Sequence, residues 1–530
     1  MKRLIYLLPA FALYLASCSD DTITPGNSDE LGNENVEQTT LKTANLASFK
    51  SSQSRVNVIG GTRAAQPGTL SLFAKIDNLS KEEGKITGFE KEGKDGRYLS
   101  ATCVYYDKNT GKYYVTYHMQ GNNYNTKQTD ETSGYIETFT LDAEGKPTVD
   151  KVYMSENPSK LDFDFNHLYF DNLTEYNYRE AYGVNDKNNM RLIAVGHISE
   201  PTKSGKTQTN AIIAQLDLES EKPSIVYSEI YTGDKILDTD GKSLGNEGAG
   251  DANCVLRKGD YYFLATRKGF TTLSASGSED KLFTPFKGLD GKTYFIKTPG
   301  SAKYLSHDCA VGSSHMAGLY LTENTPNNYN YDTAIKANIV KFGSYTGWLC
   351  GADTSKGGWN IDNATEFAGI NWPETTNLPD VSPVDGKNVL FWDGNYIFYA
   401  ALGKGGLYVH DPNYSPQHIG ETITFNGIEN ASGRPVNAVF VEGRDSNIGH
   451  PGTDGFIYVA NGGCVTILNR TTLEKIAEVG SAKDEDASAN FIQVVNAETE
   501  TTQGVPDRYV IVAYGQAGVK VFKFIPPTKL

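Results

Sequence analysis

Short runs of β-branched and aromatic residues, broken every few positions by Gly, Asn, Asp or Ser, recur along almost the whole chain. The stretch from Asn388, NVLFWDGNYIFYAALGKGGLYVHD, holds three such runs: VLFW from Val389, YIFYAA from Tyr396 and LYVH from Leu407. Asp393-Gly394 separates the first two and favours the positive φ of a tight hairpin. Gly403, Gly405 and Gly406 turn the chain back a second time. The pattern predicts an antiparallel meander too small to bury its own faces. Related units follow, GFIYVANGGCVTILNRTTLEKIAEV from Gly455 and RYVIVAYGQAGVKVFKF from Arg508. No stretch sustains 3.6-residue periodicity between caps, so helices are not expected.

Seven segments align as the strand that opens each meander: SATCVYY from Ser100, DFNHLYF from Asp164, DANCVLR from Asp251, SHDCAVG from Ser306, DGKNVLF from Asp385, PVNAVFV from Pro435 and SANFIQV from Ser488. Their third residues are all polar: Thr102, Asn166, Asn253, Asp308, Lys387, Asn437 and Asn490. The openers start between 50 and 87 residues apart, more than the roughly 40–45 of a minimal repeat, so the connections are long. The expected architecture is all-β, a seven-bladed β-propeller of four-stranded antiparallel blades over 55–530. Eight blades, or six with a separate insert, are the alternatives.

The unit from Arg508 ends at Phe524, one strand short of four. The runs at 70–76 and 85–89 are spare, and part of 70–89 is expected to supply the missing outer strand. Closure by an N-terminal strand would remove two open sheet edges that otherwise invite aggregation.

Residues 1–18 carry a basic pair, Lys2-Arg3, and an apolar stretch over 4–16 that is too short to span a bilayer as a helix. Leu15-Ala16-Ser17-Cys18 resembles the lipobox of bacterial lipoproteins, which implies cleavage before Cys18 and lipidation of it. Acyl chains contribute about 0.8 kcal/mol per buried methylene, so several chains would hold the protein to a membrane. Ser19-Asp20-Asp21 is similar to the acidic export tag of Bacteroidota lipoproteins, which implies an outer-membrane anchor facing the cell exterior. Residues 19–54, rich in Ser, Thr, Asn, Asp and Glu, read as a flexible tether.

The net charge of −15 disfavours a nucleic-acid partner. Beyond Cys18 five cysteines remain, Cys103, Cys254, Cys309, Cys350 and Cys464, without C-x-x-C spacing, which argues against a disulfide framework or a zinc ribbon. Cys103, Cys254 and Cys309 share the fourth opener position and are expected as small buried residues.

The glycine-bounded strands YVANGGCVTI and YVAYGQAGVKVF resemble LVIVD-type and YVTN-type propeller repeats of secreted bacterial proteins, over roughly 385–524. The resemblance implies fold and surface location. It brings no catalytic residue set.

The third opener residues are expected to converge on the propeller axis. They line a water-filled channel or form a ligand site there. Asp308, Asn253 and Asn166, with Asp251 and Asp164 nearby, are of the kind Ca²⁺ prefers, whereas Lys387 argues for an anion or no ligand. The cluster His307-Asp308-Cys309 with His315 fits no zinc spacing. An insert over 343–383 gathers Trp348, Trp359 and Trp372 among glycines and amides, a composition suited to a sugar ring or a protein partner. A polar insert over 231–250 is expected to line the same mouth. The leading expectation is a non-enzymatic surface lipoprotein that binds a glycan or protein through one loop face, with an outer-membrane transporter complex as a further partner. The alternatives are a polysaccharide lyase or glycosidase with carboxylates at the channel mouth, and an adhesive module of a surface assembly.

Overall fold

The computed structural model describes residues 43 to 527 apart from connections between strands, of which 83–96, 122–133, 171–191, 239–251, 345–374 and 443–454 are among the longest; for part of the strand residues the backbone alone is described. The described residues fall in one compact unit, Thr40–Leu530. They are all-β, with two one-turn 3-10 helices, Gln53–Arg55 and Leu79–Lys81, as the described helical elements. Asn78 caps the second by accepting from the Ser80 N–H.

The strands form antiparallel meanders in chain order. Arg97–Asp107, Lys112–Gly121, Tyr135–Leu141 and Pro147–Ser155 make the first. Asp162–Phe170, Leu192–Pro201, Thr207–Asp217 and Ser224–Tyr231 make the second. The next opens with Ala252–Lys258, Tyr261–Thr266 and Gly269–Ser278. Asp308–Val311, His315–Glu323, Ile335–Ser344 and Thr375–Val381 follow. The stretch from Asn388 gives Leu390–Trp392, Phe398–Ala401 and Leu407–His410, and Glu421–Ile423 completes its sheet. Val436–Val441, Phe456–Asn461, Cys464–Asn469 and Lys475–Gly480 come next, and Phe491–Thr502, Val505–Ala513 and Val519–Ile525 last.

First strands lie beside first strands. Arg97–Asp107 is next to Asp162–Phe170, which is next to Ala252–Lys258; Asp308–Val311, Leu390–Trp392, Val436–Val441 and Phe491–Thr502 follow in turn, and Phe491–Thr502 returns to Arg97–Asp107. Apolar cores fill the gaps between neighbouring sheets, so successive residues of one strand face different neighbours. Tyr113, Val115 and Tyr117 pack with Ile511, Ala513 and Val521 of the last sheet, whereas Tyr114 packs with Phe163, Leu192 and Ile212 of the second. Sheets buried on both faces explain why these strands read as nearly continuous apolar runs.

The last sheet takes strands from both ends of the chain. Thr69–Ile76 pairs with Val519–Ile525, as expected for 70–76, and Val56–Val58 adds a fifth strand outside it; 85–89 lies outside the described residues.

Two sequence boundaries are corrected. The expected tether over 19–54 gives way at Ala44–Lys50 to a strand that pairs with Pro147–Ser155 and with Ser224–Tyr231, joining the first two meanders into one nine-stranded sheet. Edge pairing uses backbone groups, so it needs little apolar sequence; in this strand Leu46 is buried in the core between those meanders. The insert over 343–383 contains Thr375–Val381, an outer strand despite Pro379. Proline is tolerated at a sheet edge, and the register shift in this pairing skips Leu378 and Pro379.

Candidate functional site

The polar third residue of the openers has a backbone cause. Pairing of first and second strands shifts register between Ala101 and Cys103, Phe165 and His167, Ala252 and Cys254, and Val436 and Ala438. Each shift leaves out the third residue, Thr102, Asn166, Asn253 or Asn437, as the extra residue of a β-bulge. Asn490 stands just before Phe491–Thr502 and donates its backbone N–H to Ala513 O, the residue that Phe491 itself faces.

Asn437, Asn490 and Thr102 have described side-chain hydrogen bonds. Asn437 Nδ2 donates to Ala489 O at 2.9 Å. Asn490 Nδ2 donates to Ala101 O at 2.9 Å and approaches Ser100 Oγ at 3.4 Å. In both cases the acceptor carbonyl belongs to the second residue of the next opener. Where first strands crowd together without a shared ladder, the amide supplies the donor that a neighbouring strand would otherwise give. Thr102 stays within its own meander, with Thr116 Oγ1 at 3.0 Å. These contacts make Asn437 and Asn490 ties between sheets.

Of the other expected ligand residues, Asn253 is half-buried, and Asn166 and Asp308 are described by their backbone in Asp162–Phe170 and Asp308–Val311. Lys387, Asp251, Trp348, Trp359, Trp372 and Cys18 lie outside the described residues. Cys103 and Cys254 are buried and not joined in a disulfide, as their shared opener position implied. One place further along, the fourth residues His167 and Phe491 meet with ring centroids 6.0 Å apart, although their strands flank Arg97–Asp107 on opposite sides. His167 and Phe491 therefore meet across Arg97–Asp107.

At the end where the openers begin, two histidines converge that the sequence reading passed over. His118 is the register partner of Ser100, and His197 of Asp164, so both stand opposite the first opener residue of adjacent meanders. Their rings meet edge to face with centroids 5.4 Å apart and planes at 73°. The signal was the equivalent placing of histidine in YVTYH and IAVGH, late in the second strand of each unit.

The expectation that the inserts over 231–250 and 343–383 line one mouth falls largely outside the described residues. Ser224–Tyr231, which precedes 232–251, runs against its opener and finishes where the openers begin. Ile335–Ser344, which precedes 345–374, runs with its opener and finishes where the openers end.

Among the described residues, no group of three or more His, Cys, Asp or Glu is placed to hold a metal ion. No protein-family model matches the chain, and no curated protein matches its sequence.

Proposed function

We propose that the chain is a seven-bladed β-propeller, held to the outer membrane by lipid on Cys18 and facing the cell exterior, that binds a glycan or protein partner through one loop face without catalysing a reaction. The observation that carries the architecture is the succession of first strands that returns to its beginning. A ring of sheets closed by both chain termini is a rigid scaffold, and rigid scaffolds present ligands with connecting loops. The amides of Asn437 and Asn490 are engaged with neighbouring backbone, which turns the search for a ligand surface outward to the loops. The connection 345–374 joins two paired strands of one meander and carries Trp348, Trp359 and Trp372. Flat indole faces among amides and glycines favour sugar rings or a partner's apolar surface.

Two substitutions test this reading. Cys18→Ala in the full chain is expected to abolish metabolic palmitate incorporation and to move the protein from the membrane to the soluble fraction. On a glycan array, and in cross-linking on intact cells, the triple change Trp348→Ala, Trp359→Ala, Trp372→Ala is expected to weaken the wild-type signal at least tenfold. Unchanged fractionation would overturn the anchor, and full binding by the triple variant would overturn the loop face.

A further inference from the structure

We propose that Ala44–Lys50 is a replaceable strap, and that the sheet edges it covers form a docking groove for one extended peptide of a protein partner, bound as an added β-strand. This inference does not rest on the loop-face reading, because it concerns the outer edges of the first two meanders. The strap bridges both edges: Ala44 and Asn45 pair with Ile225 and Ser224, and 46–50 pair with 151–155. The strap that fills the groove states the chemistry of a competitor. Ala44 and Leu46 pack on the core between the first two meanders, and Phe49 on the core that the first shares with the last. Asn45, Ser48 and Lys50 are exposed. A competing peptide therefore needs a small residue at the first place, an aliphatic one at the third and an aromatic or aliphatic one at the sixth, with backbone bonds supplying the rest.

The strap is held weakly and its base firmly. Leu46 is its one buried residue, whereas all six residues of Cys464–Asn469 are buried. Segments with few buried apolar contacts are among the first to open. Lys50 stands opposite Lys151, and like charges across a ladder disfavour pairing. Ser155, opposite Leu46, is buried, and its hydroxyl has no hydrogen-bond partner among the described residues. The strap thus leaves a polar group of its own groove unsatisfied, a cost that another peptide can recover. From Ser51 onward the chain is locked. Ser51 Oγ donates to Glu137 at 2.6 Å and the Ser52 N–H to Glu82 at 2.5 Å. The Gln53 side chain donates to Pro147 O at 3.0 Å and accepts from the Val149 N–H at 3.1 Å. Opening therefore stops at Ser51 and leaves two sheet edges bare, ready to pair with another strand.

The test uses the full chain and a fluorescein-labelled peptide with the sequence of 43–50, TANLASFK. Leu46→Asp in the full chain detaches the strap. Fluorescence anisotropy is expected to show this variant binding the peptide at least tenfold more tightly than the wild type, whose own strap competes. A peptide carrying the same Leu46→Asp change should bind neither chain. Should the variant chain unfold by circular dichroism, hydrogen exchange of the wild-type protein gives a second reading. The Leu46 N–H, bonded to Pro223 O at 2.8 Å, is expected to exchange at least tenfold faster than the Ser51 N–H, bonded to Asp150 O at 2.9 Å. Equal affinity of the two chains for the peptide, equal binding of the two peptides, or equal exchange at Leu46 and Ser51 would overturn the groove and leave Ala44–Lys50 as a fixed outer strand.

Discussion

Replacing Arg55 with methionine is expected to destabilise the protein by about 3–5 kcal/mol, the typical effect of removing one partner from a buried ion pair. Arg55 is 3% exposed and forms an ion pair with Glu137, which is fully buried, and with Glu82 at 3.1 Å. Ser51 Oγ donates to Glu137 at 2.6 Å, and Tyr117 OH to the other oxygen of that carboxylate at 3.2 Å. Arg55 Nη1 also donates to Asp77 O at 2.5 Å. The cluster therefore fastens the segment that leads into Val56–Val58 to the first meander. Burial works against the Arg55 charge, but Glu137, Tyr117 and Glu82 together outweigh it and keep the guanidinium protonated. Burial also raises the Glu137 carboxyl above its ordinary value even with Arg55 beside it.

The pH dependence follows from that direction. A carboxyl whose folded pKa lies above its unfolded value favours the folded state at low pH, and the advantage is lost as pH rises through the folded value. Without Arg55 the elevation increases. The Arg55→Met deficit should thus be small near the unfolded carboxyl value of 4.5 and grow toward neutrality. Urea titrations across that range will show it, and adding Glu137→Gln should recover part of the loss at neutral pH. A deficit independent of pH would contradict the assignment.

Gly518→Ala is expected to cost roughly 3 kcal/mol or more, because left-handed strain and a clash with fixed backbone add. Gly518 has φ of +85°, and a Cβ there would collide with Ile76 O and come within 2.7 Å of Asn78 N. Ile76 ends the N-terminal strand that pairs with Val519–Ile525, so the added methyl pushes that strand off the C-terminal hairpin. Thermal unfolding should fall by several degrees, and proteolysis should release peptides from the first 80 or so residues early. Gly111 provides the comparison: its φ is +71°, but nothing lies within 4 Å of a Cβ. Gly111→Ala should cost only about 1–2 kcal/mol.

A second buried cluster flanks the same sheet on its other side. Arg508 Nε pairs with Glu442 at 2.8 Å, and Tyr458 OH donates to that carboxylate at 2.6 Å. The sheet built from both termini is thus bolted to each neighbour by arginine, glutamate and tyrosine. Such side chains cost desolvation but fix which sheets meet.

Much of the strand succession was legible because each opener combines an apolar run with one polar residue at a constant place. In four openers that residue marks a bulge, and a bulge demands a side chain able to bond when its backbone leaves the ladder. The strand missing beside Val519–Ile525 was legible by subtraction, and Thr69–Ile76 supplies it. Ala44–Lys50 was hidden because edge pairing draws on the backbone and leaves little trace in hydrophobicity. Thr375–Val381 was hidden by Pro379, which reads as a breaker unless the strand is known to be outermost. The direction in which Asn437 and Asn490 bond, toward the next opener, is invisible in spacing. His118 and His197 escaped notice because their proximity depends on two meanders standing side by side.

Closure of the sheet succession is tested most directly by a cross-link between its ends. Asn490 Nδ2 lies 3.4 Å from Ser100 Oγ across 390 positions of the chain. Ser100→Cys with Asn490→Cys, oxidised in dilute solution, is predicted to give an intramolecular disulfide, identified as a linked peptide pair by mass spectrometry. Cross-links found only between molecules, or none at all, would contradict the closed arrangement.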